Sequence, residues 1–530
     1  MTPSRGSVTA RRYASLALWA AVLMAPSVPV AAALLAAGAA ALVGPAAWRA
    51  LARAPGRGRA TPDRVGDRIA LGVDSAGRQV TLSDSQLAAH ALIVGGSGAG
   101  KSTTMLAMLC AEIRLGRPVV AIDMKGSPAF AAELRHAARA AGRELRVWTP
   151  DGPSQWNPLA HGNATALKDM LISTERFSEP HYQRAAERYL QTALQVLHAA
   201  HPDRPARLDE VVAVMEPRRL AMLLRRVPAP LAERVQDYLG GLTTDQLSAA
   251  RGLGTRLALL SESSAGQFLR GADAAPGMTV DLRAGLQGGD VILLSLNANV
   301  YGQLAAQLGA LAIQDLISAS GYRLRSDAAA GPEGPAGSAG SAGPAGPVPA
   351  TVGIDEFSAL GTDNVLALVA RGREPGVRVL LATQEMADLE RAGRGFRDQV
   401  LGIVGIKIIH RQDVPASAEM VAQMAGTERA WEETEYIRGV FAGTGGNRGT
   451  RRLADRYIVH PNEIKTLPVG TAVVLTKLPT AETQRVRVAP DRGRDDPGRD
   501  HPRRNGPGRD QRGRHGPARD PPGRDGPARD

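Results

Sequence analysis

One short segment limits the fold of this chain more than any other. Residues 95–102 read Gly-Gly-Ser-Gly-Ala-Gly-Lys-Ser, and the apolar residues 90–94 before them are typical of a buried strand. Residues 101–115 then carry apolar side chains at the three- and four-residue spacing of a helix. A strand, a glycine-rich turn and a helix, in this order, form the context in which the motif binds phosphate. The pattern therefore predicts a nucleotide-binding core built around this turn.

The residue types of the turn suit a nucleoside triphosphate. Glycines let backbone N–H groups wrap the phosphates, and the start of the following helix adds partial positive charge. Lys101 is predicted to reach the β- and γ-phosphates, and Ser102 to hold Mg²⁺. Lysine is scarce, with six copies among 64 basic residues, so composition alone does not explain a lysine here. We expect ATP and Mg²⁺ as cofactors, with the nucleotide bound by Gly95, Gly96, Ser97, Gly98, Ala99, Gly100, Lys101, Ser102 and Thr103.

A second motif supplies two carboxylates. Residues 351–354 form a mostly apolar strand that ends in Asp355 and Glu356. In a P-loop fold the first acid holds the Mg²⁺ shell through Ser102 and water, and the second can activate the attacking water as general base. Residues 377–384 form another short strand that ends in Gln384, and this side chain would lie beside the γ-phosphate. The alternative for Gln384 is a hydrogen-bonded strand cap.

Other charged residues are candidates with weaker support. Arg373 ends the helix before the strand at 377–384, and an arginine there could stabilise transition-state charge in a neighbouring subunit's site. Arg371 and Arg411 are alternatives, and arginine is so abundant that a surface role is open for each. Asp123 and Lys125 follow a predicted strand, where they would approach the nucleotide or DNA, or form a salt-bridged loop.

The order of predicted elements indicates an α/β fold with an insertion. Strands at 118–123 and 145–148 flank a helix at 129–141, which continues the βαβ alternation. Only helices are predicted from about 164 to 264, before strand character returns at 291–296 and a helix at 303–318. The predicted divisions are a membrane anchor and basic linker at 1–60, a first nucleotide-binding part at 61–162, an inserted all-α domain at 163–275, a second part at 276–488 with a flexible loop at 328–349, and a disordered Pro/Gly/Arg/Asp tail at 489–530.

The N-terminal region predicts a membrane anchor. Residues 13–48 contain no charge, are broken by Pro26 and Pro29, and are flanked by arginines on both sides. Such flanks favour a hairpin of two short transmembrane helices with both ends in the cytoplasm. The alternative, a cleaved signal peptide, would carry the P-loop away from ATP. With Cys110 as the single cysteine, no intrachain disulfide can form, which suits a reducing compartment. We expect the inner membrane, with the motor domain in the cytoplasm.

Several segments together resemble a known family. HALIVGGSGAGKSTT, VVAIDMKG, WNPL, TVGIDEF and GVRVLLATQ occur in order, followed by IKIIHRQDVPASAEMVAQMAGT and HPNEIKTLPVGTAVV. Over residues 64 to about 488 the chain resembles the coupling ATPases of type IV secretion and conjugative DNA transfer, the TraG/TraD type, which are relatives of HerA and FtsK. By itself, WNPL predicts only a structural turn with a packed Trp156 and a capping Asn157.

The resemblance implies a RecA-like P-loop NTPase domain with an inserted all-α domain. It also implies membrane tethering, assembly as a homo-hexamer, and ATP-driven movement of DNA through a central channel. Relaxase and secretion-channel proteins would be its partners. By position, the family's roles fall on Lys101 and Ser102 of the P-loop, Asp355 and Glu356 of the acidic strand, Gln384 as the motif glutamine and Arg373 as the arginine finger. The loop at 328–349 is a departure from the family pattern.

Two other functions remain open from the sequence. One is an FtsK- or HerA-like translocase in chromosome segregation, which shares the motor and the anchor. The other is an ATP-binding receptor for protein cargo of a secretion system. Without a base-reading motif in the sequence, we expect DNA contacts to the backbone phosphates, insensitive to sequence. DNA-stimulated ATP hydrolysis would separate the receptor from both translocases.

Overall fold

The computed structural model describes residues 68–488, except for residues 176, 178, 272–276, 289, 331–347 and 436–448. The predicted anchor at 1–60 and the predicted tail at 489–530 lie outside the described residues. Within the described part, no helix is both long and apolar enough to cross a membrane. The hairpin at 13–48 therefore stays a prediction.

Fifteen strands are present in the described part, and we number them in chain order. They are β1 (Arg68–Asp74), β2 (Gln79–Ser83), β3 (Ala91–Val94), β4 (Val119–Asp123), β5 (Leu145–Trp148), β6 (Gln155–Trp156), β7 (Thr279–Val280), β8 (Val291–Ser295), β9 (Ala350–Asp355), β10 (Val377–Thr383), β11 (Ile406–Ile409), β12 (Thr427–Glu435), β13 (Gly449–Tyr457), β14 (Thr471–Thr476) and β15 (Glu482–Val488).

The α-helices of the described part are numbered in the same way. They are α1 (Asp84–Leu87), α2 (Lys101–Arg114), α3 (Pro128–Ala140), α4 (Ala164–Ser173), α5 (Pro180–Ala200), α6 (Leu208–Val214), α7 (Pro217–Leu223), α8 (Ala229–Gly240), α9 (Thr244–Ser261), α10 (Leu282–Gln287), α11 (Ala298–Tyr301), α12 (Gln303–Ala330), α13 (Thr362–Gly372), α14 (Met386–Ala392), α15 (Phe396–Ile403), α16 (Pro415–Ala425) and α17 (Pro461–Lys465).

One large sheet carries the nucleotide-binding half of the fold. Eleven strands pair in the order β2-β1-β15-β14-β11-β3-β10-β9-β4-β8-β5. The strands from β11 to β5 run parallel, whereas β14, β15, β1 and β2 extend the sheet by antiparallel pairing. The fold is therefore mixed α/β with a large, mainly parallel sheet, in agreement with the predicted α/β class.

Helices cover both faces of the parallel part, which explains why its strands are apolar throughout. On β3, Ala91 and Ile93 pack in one core with residues of α2 and α3. Leu92 and Val94 point to the opposite core, which contains residues of α12 and α13. All four β3 residues are fully buried. The strand that precedes the glycine turn is therefore fixed from both sides, and it holds that turn in place.

The region predicted as all-helical contains six helices, α4 to α9, and no strand among its described residues. The chain leaves and re-enters the large sheet beside the short parallel pair β6 and β7, where Gln155 lies opposite Thr279. Trp156 anchors this point, because its ring is buried and its Nε1–H donates to Asp315 Oδ2 of α12 at 3.0 Å. Asn157 accepts the Leu159 N–H at 3.0 Å, as expected for a structural turn.

Some boundaries differ from the prediction. Helix α12 continues to Ala330, beyond the predicted end at 318, so residues 328–330 are helical instead of part of the predicted loop. Within the region predicted as all-helical, α7 is followed directly by a 3₁₀ turn, Leu224–Arg226. Strands β12 and β13 form a separate antiparallel ribbon that the sequence patterns did not indicate.

Candidate active site

The carboxyl edge of the parallel strands brings the predicted site segments together. Asp355 at the end of β9 lies opposite Asp123 of β4 on one side and Ala382 of β10 on the other. Val94, which precedes the glycine turn, lies opposite Thr383 at the end of β10. Ligands of open α/β sheets bind at this edge. The strand order therefore places the P-loop, the acidic strand and Gln384 at one location.

The glycine turn has the backbone geometry of a phosphate cradle. Gly98 and Gly100 adopt positive φ angles of 73° and 114°, a region that favours glycine. Gly100 is the N-cap residue of α2 and makes no side-chain hydrogen bond. The first backbone N–H groups of this helix are therefore not capped by the side chain of the N-cap residue. At Gly95, a Cβ atom would lie 2.7 Å from Cβ of His410, so only glycine fits there.

Lys101 and Ser102 contact the first acid of the acidic strand. The Lys101 side chain is 4% exposed, and its Nζ lies 3.4 Å from Asp355 Oδ1. Ser102 Oγ donates to Asp355 Oδ2 at 3.3 Å, and Asp355 is itself buried. A serine hydroxyl and a carboxylate are hard oxygen ligands of the kind that Mg²⁺ prefers. Ser102 and Asp355 therefore offer donor atoms suited to Mg²⁺, and their assignment as metal ligands stays a prediction.

Glu356 lies at the centre of the polar contacts. Its backbone is left-handed, with φ 57° and ψ 45°, which is uncommon for a residue with a side chain. Its Oε1 accepts from Lys101 Nζ at 2.8 Å and from Gln384 Nε2 at 3.0 Å. Lys125 Nζ contacts the same oxygen at 2.8 Å. The contact to Gln384 supports a site role over that of a strand cap, although the roles of these residues stay predictions.

The pKa of Glu356 follows from these contacts. Burial alone would raise the pKa of the carboxyl, but hydrogen bonds from Lys101 and Lys125 outweigh it and lower the pKa below its ordinary value. A carboxylate that is ionised at neutral pH can accept a proton from water, as a general base must. By contrast, burial raises the pKa of Asp123, against opposing hydrogen bonds from the Ser127 and Lys125 N–H groups.

Lys125, which the sequence offered as a candidate with a salt-bridged loop as the alternative, contacts the acid pair directly. Its Nζ also lies 3.3 Å from Asp355 Oδ2, so it touches both acids. The nearby carboxylates raise its pKa although burial opposes this, so the amine stays charged. Two features of the sequence could have marked Lys125 as important. Lysine occurs only six times in the chain, and this lysine follows a predicted strand.

His410 links the P-loop helix to the antiparallel part of the sheet. Its Nε2 lies 2.8 Å from Thr104 Oγ1 of α2, and its Nδ1 lies 3.0 Å from the Thr471 carbonyl. A carbonyl can only accept, so Nδ1 carries the proton and Nε2 accepts from Thr104. Burial lowers the pKa of His410 to about 4, so the ring is neutral. The N–H of Gly470 also donates to the Ala99 carbonyl of the glycine turn at 3.0 Å.

The three candidate arginines lie in different places. Arg373 caps the end of α13 and precedes β10, so it lies at the amino edge of the sheet, opposite the P-loop. Arg371 is exposed on the last turn of the same helix. Arg411 lies at the carboxyl edge, where its carbonyl accepts the Gly96 N–H and its side chain pairs with Asp413 at 3.1 Å. The structure therefore brings neither Arg373 nor Arg371 to the P-loop of its own chain.

A glycine cradle, a lysine, a serine, two acids and a glutamine at this edge define a P-loop nucleotide hydrolase. Two segments of the chain match models of known families. Residues 349–469 match the family described as the TraM recognition site of TraD and TraG, and residues 59–126 match the FtsK/SpoIIIE family. Over these segments the chain is similar to the TraD and TraG coupling proteins and to the FtsK/SpoIIIE family. No match is found among curated proteins.

Solved structures share the fold. The bacterial conjugative coupling protein TrwBdeltaN70, in its unbound monoclinic form, is similar with a TM-score of 0.56 and 15% identity over 79% of this chain and 88% of that one. TrwB in complex with ADP and Mg²⁺ gives a TM-score of 0.53 and 16% identity, over 81% and 90%. TrwB with the GTP analogue GDPNP gives 0.53 and 15%, over 79% and 89%. At such identities the likeness establishes the fold.

Proposed function

We propose that the chain is a membrane-anchored, ATP-driven DNA translocase that couples a DNA substrate to a type IV secretion channel in conjugation. One observation carries this proposal: the two segments that match the families are the two halves of the site. Residues 59–126 contain the P-loop and Lys125, and residues 349–469 contain Asp355, Glu356 and Gln384. The match to TraG and TraD favours conjugation over the chromosome-segregation alternative.

The contacts support a proposed step for each residue. Lys101 would leave Glu356 and bind the β- and γ-phosphates, while the backbone of the glycine turn wraps them. Ser102 and Asp355 would hold Mg²⁺, which when bound neutralises charge on the phosphate oxygens. Glu356 would then accept a proton from the attacking water, with Gln384 fixing its carboxylate. The relatives' complexes with ADP and Mg²⁺ and with a GTP analogue support nucleotide and metal binding here.

Two substitutions test this chemistry. Lys101→Ala should abolish ATP turnover, whereas Glu356→Gln should keep nucleotide affinity and lose turnover, because phosphate binding and water activation are separate tasks. Lys168→Met is the control, since this lysine pairs with Asp169 on α4, outside the nucleotide site. Steady-state hydrolysis and nucleotide affinity of the full chain are measured. Normal turnover in Glu356→Gln would remove Glu356 as the base.

DNA of any sequence should stimulate the hydrolysis of ATP. The stimulation should weaken as the salt concentration rises, because contacts to DNA phosphates release counterions and high salt therefore lowers the affinity for DNA. Hydrolysis that ignores DNA would instead favour the protein-cargo receptor. The proposed assembly is a homo-hexamer with relaxase and channel proteins as partners.

Inner-membrane anchoring through residues 13–48 is a separate part of the proposal. Arginines on both sides of the uncharged segment predict that both of its ends stay in the cytoplasm. Reporter fusions at the N-terminus and at residue 55 should both give cytoplasmic signals. Opposite locations would indicate one span.

A further inference from the structure

Lys125 reaches the two acids from outside the P-loop. Its Nζ lies 2.8 Å from Glu356 Oε1 and 3.3 Å from Asp355 Oδ2. Lys101 Nζ contacts the same Glu356 oxygen at 2.8 Å. Two ammonium groups and two carboxylates thus form one cluster in which the charges balance. A lysine with only a surface role would not contact the same Glu356 oxygen as Lys101.

The two lysines come from different strands. Lys101 starts α2 directly after the glycine turn, so its amine lies where it can move to bound phosphates. Lys125 follows β4, which neighbours β9 on the side opposite β10 and Gln384. Once Lys101 binds phosphate, Glu356 keeps contacts with Gln384, which follows β10, and with Lys125, which follows β4. Of these two side chains, Lys125 is the one that carries a positive charge.

The loop that carries Lys125 is fixed by its own hydrogen bonds. Asp123 accepts the Lys125 N–H at 2.9 Å and the Ser127 N–H at 2.6 Å through its two carboxylate oxygens. Gly126 has a φ of 68°, and a Cβ there would lie 2.6 Å from Cβ of Asn297. The side chain of Lys125 is 37% exposed, yet its backbone is held on both sides. The loop therefore presents the amine from a fixed base.

We propose that Lys125 is a positioning residue for ATP hydrolysis, which orients the Glu356 carboxylate toward the attacking water while Lys101 is engaged by the phosphates. The left-handed backbone of Glu356 makes such support useful, because that conformation is strained for a residue with a side chain. This inference rests on the proposed ATP hydrolysis and is independent of the cargo. The competing role is direct binding of the γ-phosphate by Lys125.

Lys125→Met separates the two roles, because methionine keeps the apolar stem and removes the charge. We expect kcat to fall on the order of tenfold to a hundredfold, part of what a general base contributes. The affinities for ATP and for ADP, measured with fluorescent analogues, should stay within about twofold of wild type, because no phosphate contact is lost. A selective loss of ATP affinity would overturn the proposal in favour of a γ-phosphate ligand. Unchanged kcat would overturn it outright.

A second experiment tests whether Lys125 acts through Glu356. In a Glu356→Gln background, Lys125→Met should reduce the residual turnover by less than about twofold, because the residue it positions is already gone. An equal loss in both backgrounds would overturn the proposal. Lys125→Arg, which keeps the charge but replaces a point charge with a planar fork, should lose part of kcat and keep the fold. It therefore carries the same tests if the methionine variant does not fold.

Lys168→Met is the matched control for removal of a paired lysine, and its kcat should equal that of wild type. The thermal midpoint of each variant in the absence of nucleotide gives a further measurement that does not depend on activity. Lys125→Met should lower this midpoint more than Lys168→Met, because both acids lose a counter-charge. If wild type and Lys168→Met both fail to hydrolyse ATP, the proposed function fails, independently of Lys125.

Discussion

Arg373 offers the sharpest test of how the site is completed. It lies at the amino edge of the sheet, and the seven residues of β10 separate it from the P-loop edge. At about 3.3 Å per residue, this strand spans on the order of 20 Å, more than an arginine side chain can cover. Arg373 can therefore serve as an arginine finger only in another subunit's site. A mixture of Arg373→Ala chains with Lys101→Ala chains exposes this arrangement.

The size of the rescue follows from counting interfaces. Arg373→Ala alone should turn over ATP on the order of a thousandfold more slowly than wild type, and Lys101→Ala alone should show no turnover. In rings assembled at random from equal amounts, a working interface needs Lys101 from one chain and Arg373 from the next. About one quarter of interfaces meet this condition in a ring with head-to-tail contacts. We therefore expect about a quarter of wild-type turnover if interfaces act independently, and less if they fire in sequence.

Steady-state hydrolysis of the mixtures at constant total protein concentration is the assay. The control mixes Lys101→Ala with Glu356→Gln, which should give no rescue, because Lys101 and Glu356 are 2.8 Å apart in one chain. Arg373→Lys should fail nearly as badly as the alanine variant, since a point charge does not reproduce the planar guanidinium. Absence of rescue would refute action between subunits. Normal turnover in Arg373→Ala would shift the role to Arg371 or Arg411.

Two further predictions concern buried polar groups. Burial raises the pKa of Asp315 from 3.8 to about 7, although the Trp156 hydrogen bond opposes it. Its contribution to stability is therefore complete below pH 3.8 and is lost as pH rises through 7, with a loss on the order of 2–3 kcal/mol between roughly pH 5 and pH 8. Thermal midpoints should show Asp315→Asn gaining on wild type over that range, and parallel curves would contradict the prediction. His410→Ala should destabilise the protein by about 2–4 kcal/mol, because it leaves Thr104 and the Thr471 carbonyl without a partner. Thr104→Val, as the control, should lower the free energy of unfolding by about 1 kcal/mol in denaturant unfolding. Equal losses of stability in the two variants would argue against His410 as the link between Thr104 and Thr471.

The parts of the site that the sequence predicted are those formed by contiguous residues. A P-loop works through consecutive backbone N–H groups and the first residues of one helix, so residues 95–103 contain all that is needed to recognise it. Asp355 and Glu356 were predictable for the same reason, since a carboxylate pair follows directly from an apolar strand. The α/β class followed from the alternation of elements around these two motifs.

The order of strands in the sheet was beyond prediction from local patterns. Lys125 touches Glu356 only because β4 is the neighbour of β9, although 230 residues separate Lys125 from Asp355. Similarly, His410 reaches Thr471 because β14 pairs antiparallel with β11. The spacing of apolar residues along the sequence does not reveal either of these strand pairings. Contacts between strands distant in sequence therefore had to come from the structure.

The position of the helical region explains how a long insertion can leave the site intact. The chain departs after β6 and returns at β7, and these two strands pair directly through Trp156 and Val280. The ends of the insertion therefore lie close together, as an insertion into an existing domain requires. They lie near β5, at the end of the sheet order, whereas β3, β10 and β9 of the nucleotide site lie in its middle.

Trp156 also donates to Asp315 of α12, the helix whose described residues pack against α13 and hence beside β10. Buried contacts thus run from the start of the helical region to β10, the strand that precedes Gln384. Substitution of Asp315 should consequently affect stability first, and ATP turnover only through the packing of β10.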